Sequence, residues 1–278
     1  MMSGRFGSLL IGLLLMLGCG RPTGAISNQV ATTADTAGAS VTLTVFAAAS
    51  LTNAFAEIGR DFEASHPGVR VTFNFAGSQQ LAQQLAQGAP GDVFASANQQ
   101  QMNAAVDSGR IATDTVQTFV QNRLVVIFPK DNPADIGQLQ DLTKPGLKLI
   151  LAAAEVPVGQ YSLDFLDKGG QDTAFGIDFK ENVLANVVSY EENVRSVFTK
   201  VALGEADAGI VYSSDVVGAG SGRVGKLNIP DPLNTVAGYP IAAIDDSNQP
   251  DLVHAFIAFV LSPAGQQILS DYGFIPVR

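Results

Sequence analysis

The stretch Phe46–Phe55, FAAASLTNAF, carries no charge and no titratable group apart from hydroxyls, yet it runs from a strand straight into a helix. Upstream, VTLTVF alternates with the period of two expected of a strand, and downstream Leu51, Ala54, Phe55, Ile58 and Phe62 fall on one helical face. A strand followed at once by an amphipathic helix is the unit of an α/β fold. In such folds small ligands bind beyond the carboxyl ends of strands. A junction this bare exposes the first-turn N–H groups of the helix, which are unpaired and carry partial positive charge, to whatever approaches.

The same unit recurs along the chain. VRVTFNF (Val69–Phe75) reads as a second strand, and Ser78 in NFAGSQQLAQQL stands to its helix as Ser50 stands to the first. Both serines are expected to be N-caps. DVFASA reads as a third strand, and Asn98 with Gln101 offers a capping box for the next helix. RLVVIF (Arg123–Phe128) opens a second series: LKLILAA, a helix after Gly159, NVVSY, a helix through VRSVFTKVAL, and AGIVY. Tyr239–Ile244 and two helical segments, Asp251–Leu261 and Pro263–Tyr272, complete the chain. Two α/β series with a C-terminal return predict two lobes, residues 41–120 with 230–278 and residues 121–229. Each is expected to be a mixed sheet flanked by helices, with a cleft between the lobes.

In the second series Val158 lies between a strand and a helix, Val194 opens a further helix and Tyr212 ends a strand. Taken singly, these have ordinary explanations: capping serines, apolar residues near helix starts, and a core ring whose hydroxyl is satisfied by backbone.

Composition narrows the partners. The 278 residues are 46% hydrophobic and 15% charged, enough to bury a large core, and the formal charge is -10. An acidic chain lacks the basic footprint that nucleic acid or an anionic membrane surface requires. At the N-terminus Arg5 precedes the apolar run LLIGLLLML (Leu9–Leu17), far shorter than the ~20 residues of a membrane span, so residues 1–18 are expected to be an export signal. MLGCG, with Cys19 the only cysteine, resembles the lipobox of bacterial lipoproteins, although Met16 stands where leucine is most common. Lipidation at Cys19 is therefore expected, the alternative being an ordinary secretory signal with an incidental cysteine. Residues 19–40, rich in Ala, Thr, Ser and Gly, read as a flexible tether to a membrane, placing the folded body in a periplasm or at the cell surface.

VFAAASLTNAF, FAGSQQLAQQLAQGAPGDVFASA, NRLVVIFP, VPVGQYS, NVRSVF and GIVYSSDV, in this order, resemble the molybdate-binding proteins of molybdate ABC transporters. That family consists of type II periplasmic substrate-binding proteins, and the resemblance spans about residues 41–278. It implies a two-lobed fold with molybdate or tungstate held in the interlobe cleft. The oxyanion would be bound by Ser50 and Ser78 through hydroxyl and backbone N–H, by the backbone N–H of Val158 and Val194, and by the hydroxyl of Tyr212. Val158 stands where the family usually has alanine, which leaves the size of the cavity open. The resemblance further implies no enzymatic activity, no cofactor, no free metal cation, a membrane permease as partner and a monomeric state.

Neutral donors suit such an anion. A hydrogen bond to a charged oxygen contributes roughly 1.5–3 kcal/mol net, and each helix end adds about 0.3–1. Donors from all five residues together exceed the ~8 kcal/mol of a micromolar complex. A protonated phosphate would set its hydrogen against a donor, whereas molybdate, tungstate and sulfate carry none near neutral pH. Sulfate or another tetrahedral oxyanion is the alternative ligand. A serine hydrolase using Ser50 or Ser78 is the alternative function, for which no base stands nearby in sequence.

Other features read as structural. Gly220, Gly222 and Gly225 spell G-x-G-x-x-G, but KLNIP follows where a helix should begin, so a glycine loop is expected. His66 and His254 are too far apart to suggest a metal site, Glu191 with Glu192 and Asp245 with Asp246 read as solvated pairs, and Arg195 reads as a salt-bridge partner on its helix.

Overall fold

The structure is a computed structural model that describes residues 40–277. The expected export signal, Cys19 and the tether up to residue 39 lie outside the described residues.

In chain order the first series is β1 (Val41–Ala48), α1 (Thr52–Ser65), β2 (Val69–Ala76), α2 (Ser78–Ala86), β3 (Val93–Ala95), α3 (Gln99–Asp107) and β4 (Gln117–Asn122). The second is β5 (Leu124–Pro129), β6 (Leu149–Ala152), α4 (Pro157–Gln171), α5 (Phe179–Ala185), β7 (Val187–Glu191), α6 (Val194–Ala202), β8 (Ala208–Tyr212) and β9 (Val224–Asn228). The return is β10 (Ala237–Ala243), α7 (Pro250–Leu261), α8 (Pro263–Asp271) and β11 (Ile275–Pro276).

These strands form two mixed sheets, ordered β11-β4-β10-β3-β1-β2 and β7-β6-β8-β5-β9. In the first, β1 runs parallel to β2 and β3, while β10 is antiparallel to β3 and β4. In the second, β6 is parallel to β7 and β8, and β5 is antiparallel to β8 and β9. A parallel neighbour requires a crossover, and here helices supply it, so the strand-to-helix junctions of each sheet gather at one edge.

The chain passes between the sheets twice. Between β4 and β5 a single residue, Arg123, makes the change, and the stretch between β9 and β10 brings the chain back. One continuous apolar core runs through both sheets, including Leu43, Phe55 and Phe119 from the first series and Val126, Leu151 and Phe198 from the second. A smaller cluster around Phe46, Leu81, Phe94 and Met102 fills the space under α2 and α3.

The α1 face expected from the sequence is buried at Ala54, Phe55, Ile58 and Phe62. Four elements exceed the sequence reading. β4, QTFVQN, has polar residues at both ends that mask its two buried apolar residues. β9 occupies the GKLN stretch after the glycines, where a loop is expected, so no helix follows them. The short α5 and two-residue β11 carry too little periodicity to be read.

Candidate functional site

β1 ends in Ala48 and passes through a 3-10 turn, Ala49–Leu51, before α1 begins at Thr52. Ser50 is therefore not the N-cap of α1. Its Oγ lies 2.9 Å from Tyr239 Oη, a partner 189 residues away on β10. Ser78 is likewise not a cap, because Gly77 takes that place and Ser78 is the first residue of α2. Its Oγ accepts the Ala97 N–H at 3.0 Å. Both serines are nearly fully buried, and each is held by the far side of the sheet rather than by its own helix. The cap at Asn98 forms, with Oδ1 accepting the Gln101 N–H at 3.0 Å. The reciprocal half of that box is absent, since Gln101 Nε2 donates instead to Glu155 O at 3.1 Å.

From the second sheet, Pro157 opens α4 with its φ preset and places the Val158 N–H in the first turn. The neighbouring Val156 and Gln160 amides are bonded to Ala153 O and Val156 O, and Val158 has no such backbone bond among the described residues. α6 is capped by Asn193, whose Oδ1 accepts the Ser196 N–H at 3.0 Å, leaving the Val194 N–H at the helix mouth. First-turn amides such as these have no intrahelical acceptor.

Ser50, Ser78, Val158, Val194 and Tyr212 all line one small, partly open cavity of about 10 Å³, between Ala48, Gly77 and Ala97 on one side and Asn193 on the other. Among the described residues that line it, none is charged. A cavity of this size has room for about one water, so it excludes organic ligands, and any anion larger than a water would need the site to open around it.

Tyr212 is 1% exposed, and its hydroxyl has no hydrogen-bond partner among the described residues. A buried hydroxyl without a partner is costly and marks a place where a ligand would supply one. Burial first, then the neighbouring Tyr239 and Tyr161, push the Tyr212 phenol well above its usual range, so it remains a donor at neutral pH. The ring packs edge-on against Tyr239, centroids 5.8 Å apart at 69°.

Behind Tyr212, Asp215 Oδ2 accepts the Tyr212 N–H at 3.1 Å, and Asp215 Oδ1 lies 3.6 Å from Arg195 Nη1. Burial pushes the Asp215 carboxyl up to about 7, against the opposing pull of Arg195 and the Tyr212 N–H. Arg195 also donates to Asn53 Oδ1 at 2.9 Å. It thus spans from α6 to Asp215 and α1, rather than pairing along its own helix, and it does not line the cavity. Other polar bridges close the rim: Gln79 and Gln80 donate to Glu192 at 2.8 and 2.9 Å, and Asn98 donates to Gln160 at 3.2 Å.

Of the acidic pairs expected to be solvated, Glu192, Asp245 and Asp246 are exposed, and only Glu191 departs from that expectation. Glu191 is buried; burial would raise its pKa, but its bonds from Lys200 and Ser189, both at 2.6 Å, hold it below the usual carboxylate range. Asp246 pairs with Arg110 at 2.7 Å, and Asp245 accepts the Ala112 N–H at 3.1 Å. His66 stacks on Phe62 at the end of α1, and His254 is exposed on α7. Sequence reasoning missed Tyr239, Asn122 and Asp215 as neighbours of the site. Their partners stand far away along the chain or, for Asp215, in a turn that follows Tyr212 without any periodic pattern.

Comparison with known proteins agrees with this architecture. The family model of bacterial extracellular solute-binding proteins matches residues 43–275. The chain belongs to that family. It is 39% identical over 232 residues to the molybdate-binding protein ModA of Mycobacterium tuberculosis, covering 84% of each chain. Among solved structures it is 31% identical to a Clostridium difficile substrate-binding domain assigned to a molybdenum ABC transporter, with a TM-score of 0.64, covering 86% of this chain and all of that one. The sulfate-binding protein SubI of Mycobacterium tuberculosis shares the fold, with a TM-score of 0.76 at 21% identity and 85% and 87% of the two chains covered. Membership makes this an exported solute-binding protein and not an enzyme.

Proposed function

We propose that this solute-binding protein captures molybdate or tungstate outside the cytoplasm and delivers it to the membrane permease of an ABC transporter. It acts as a monomer, lipid-anchored at Cys19 through the tether that follows. The lobes are residues 41–120 with 230–278 and residues 121–229, a division supported by the membership of the two sheets, and they close over the anion.

The observation that carries the reading is a small cavity lined without charge, where the unpartnered Tyr212 hydroxyl meets the helix mouths bearing Ser50, Ser78, Val158 and Val194. A dianion entering it exchanges water for hydrogen bonds worth roughly 1.5–3 kcal/mol each. Names of the similar proteins support molybdate as cargo. Sulfate is the second reading, favoured by its identical tetrahedral shape and by the fold shared with SubI. Hydrolysis has little support, since Ser50 Oγ meets a phenol and Ser78 Oγ meets an amide, and neither contacts a base.

Competitive calorimetry with molybdate, tungstate and sulfate tests the proposal. Molybdate and tungstate are expected to bind at least micromolar-tight, and Ser78→Ala to weaken both at least about tenfold, because a donor to a charged oxygen is lost. A wild-type protein indifferent to all three anions would reject the site.

A further inference from the structure

Ser50 does not stand alone at the back of the cavity. Its Oγ is paired with Tyr239 Oη at 2.9 Å, and Tyr239 Oη is approached at 3.4 Å by Asn122 Nδ2. Tyr239 and Asn122 are both completely buried. Neither lines the cavity, and neither belongs to the set of residues assigned above to the anion. A bulge in β10 at Tyr239/Pro240 shifts the register there, the kind of irregularity that re-aims a side chain.

The direction of this chain of hydrogen bonds follows from its far end. Asn122 Oδ1 accepts the Arg123 N–H at 2.9 Å and the Ser213 hydroxyl at 2.9 Å, which fixes the amide with its oxygen on that side. Its Nδ2 therefore faces Ser214 Oγ at 2.8 Å and Tyr239 Oη. An N–H aimed at a phenol oxygen occupies its accepting side, so the phenol proton must leave by another route. Tyr212 Oη has no partner within hydrogen-bond geometry among the described residues, and its electrostatic coupling to Tyr239 is that of a donor, so it does not take the phenol proton and Ser50 Oγ is the remaining acceptor within reach. Once Ser50 Oγ accepts from Tyr239, its own proton has no acceptor among the described residues and turns to the cavity.

We propose that Asn122 and Tyr239 are positioning residues: a buried relay running Asn122 to Tyr239 to Ser50 that locks the Ser50 hydroxyl in the donor orientation toward the bound anion. This rests on the oxyanion reading of the cavity and adds residues that touch no ligand. A serine hydroxyl left to itself samples three staggered orientations, so locking one is worth about threefold in affinity. Polarisation along a buried chain adds to this, giving roughly three- to tenfold in all.

The test is a double-mutant cycle read by calorimetry with molybdate as the probe. Tyr239→Phe keeps the ring and removes the relay hydroxyl, and it is measured in the wild-type and in the Ser50→Ala background. A three- to tenfold loss of molybdate affinity with Ser50 present, and none in Ser50→Ala, is expected, because a relay acts only through its terminal donor. An equal loss in both backgrounds would mean that Tyr239 acts by packing, and an unchanged affinity with Ser50 present would mean that it does not act; either overturns the relay alone. A wild-type protein that binds no tetrahedral oxyanion overturns the proposed function and the relay with it.

Should Tyr239→Phe fail to fold, Asn122→Asp replaces it in the same cycle. Its carboxylate accepts the phenol proton and reverses the chain, so Ser50 presents a lone pair to the cavity. Molybdate should then lose more affinity when Ser50 is present than in Ser50→Ala, where only the added charge acts. Losses that match in the two backgrounds refute the reversal and the relay.

Discussion

Replacing Tyr212 by Phe separates binding from folding more sharply than any other change at this site. The hydroxyl is buried and makes no hydrogen bond among the described residues, so the ligand-free protein bears the cost of an unsatisfied polar group, about 1–3 kcal/mol. Phe retains the edge-on packing against Tyr239 and removes that cost. Anion-free stability should therefore rise, and each 1 kcal/mol gained should lift the melting temperature by about 2–4 °C for a body of this size. Binding should move in the opposite direction. Loss of a donor to a charged oxygen, roughly 1.5–3 kcal/mol, weakens molybdate by about ten- to hundredfold. Differential scanning calorimetry without molybdate, beside titration calorimetry with it, reads the two effects on one preparation. A variant that melts below the wild type, or that keeps its molybdate affinity within twofold, would show that the hydroxyl is not held in reserve for an anion.

Two further changes probe the surroundings. A methyl group at Gly77 would stand 2.5 Å from the Glu192 carbonyl, which belongs to the other sheet's side of the cavity. Gly77→Ala should hold the two sides apart, lowering molybdate affinity and giving small-angle scattering that stays expanded when molybdate is added; compaction equal to the wild type would contradict this. Asp215, raised to about 7, binds a proton in the folded state that it releases more readily when unfolded. Its contribution to stability is complete below the usual carboxylate range, declines as pH rises from there through about 7, and is flat above. Asp215→Asn should remove that slope in chemical denaturation measured across the same window, and an unaltered slope would place the titration elsewhere.

The architecture was legible where burial imposed a period. The α1 face follows the helical period, VTLTVF buries Leu43 and Val45 while Val41 and Thr42 stay exposed, and AGIVY is an unbroken buried run. β4 and β9 were not legible, because polar or glycine residues interrupt their apolar pattern and their place comes from pairing with strands distant in sequence. At the site, position alone left Ser50, Ser78, Val158, Val194 and Tyr212 with ordinary structural explanations; the resemblance to molybdate-binding proteins singled them out, and the structure gathers them on one cavity. The chemistry of the serines was misjudged. A serine ahead of a helix looks like a cap, yet a cap spends its hydroxyl oxygen on its own helix, and these two accept or share hydrogen bonds from Ala97 and Tyr239. Such partners stand far away in the chain and leave no local trace, which is also why Asn122 went unread; Asp215 went unread because it sits in an aperiodic turn just after Tyr212.

The neutrality of the cavity wall has a kinetic corollary. With a formal charge of -10, the protein as a whole repels its cargo at a distance, while fixed dipoles attract it only over the last few ångströms. Dissolved salt screens the distant repulsion but cannot enter so small an enclosure. Capture should thus quicken in brine while residence inside stays the same, the reverse of what a lysine-lined anion trap would do.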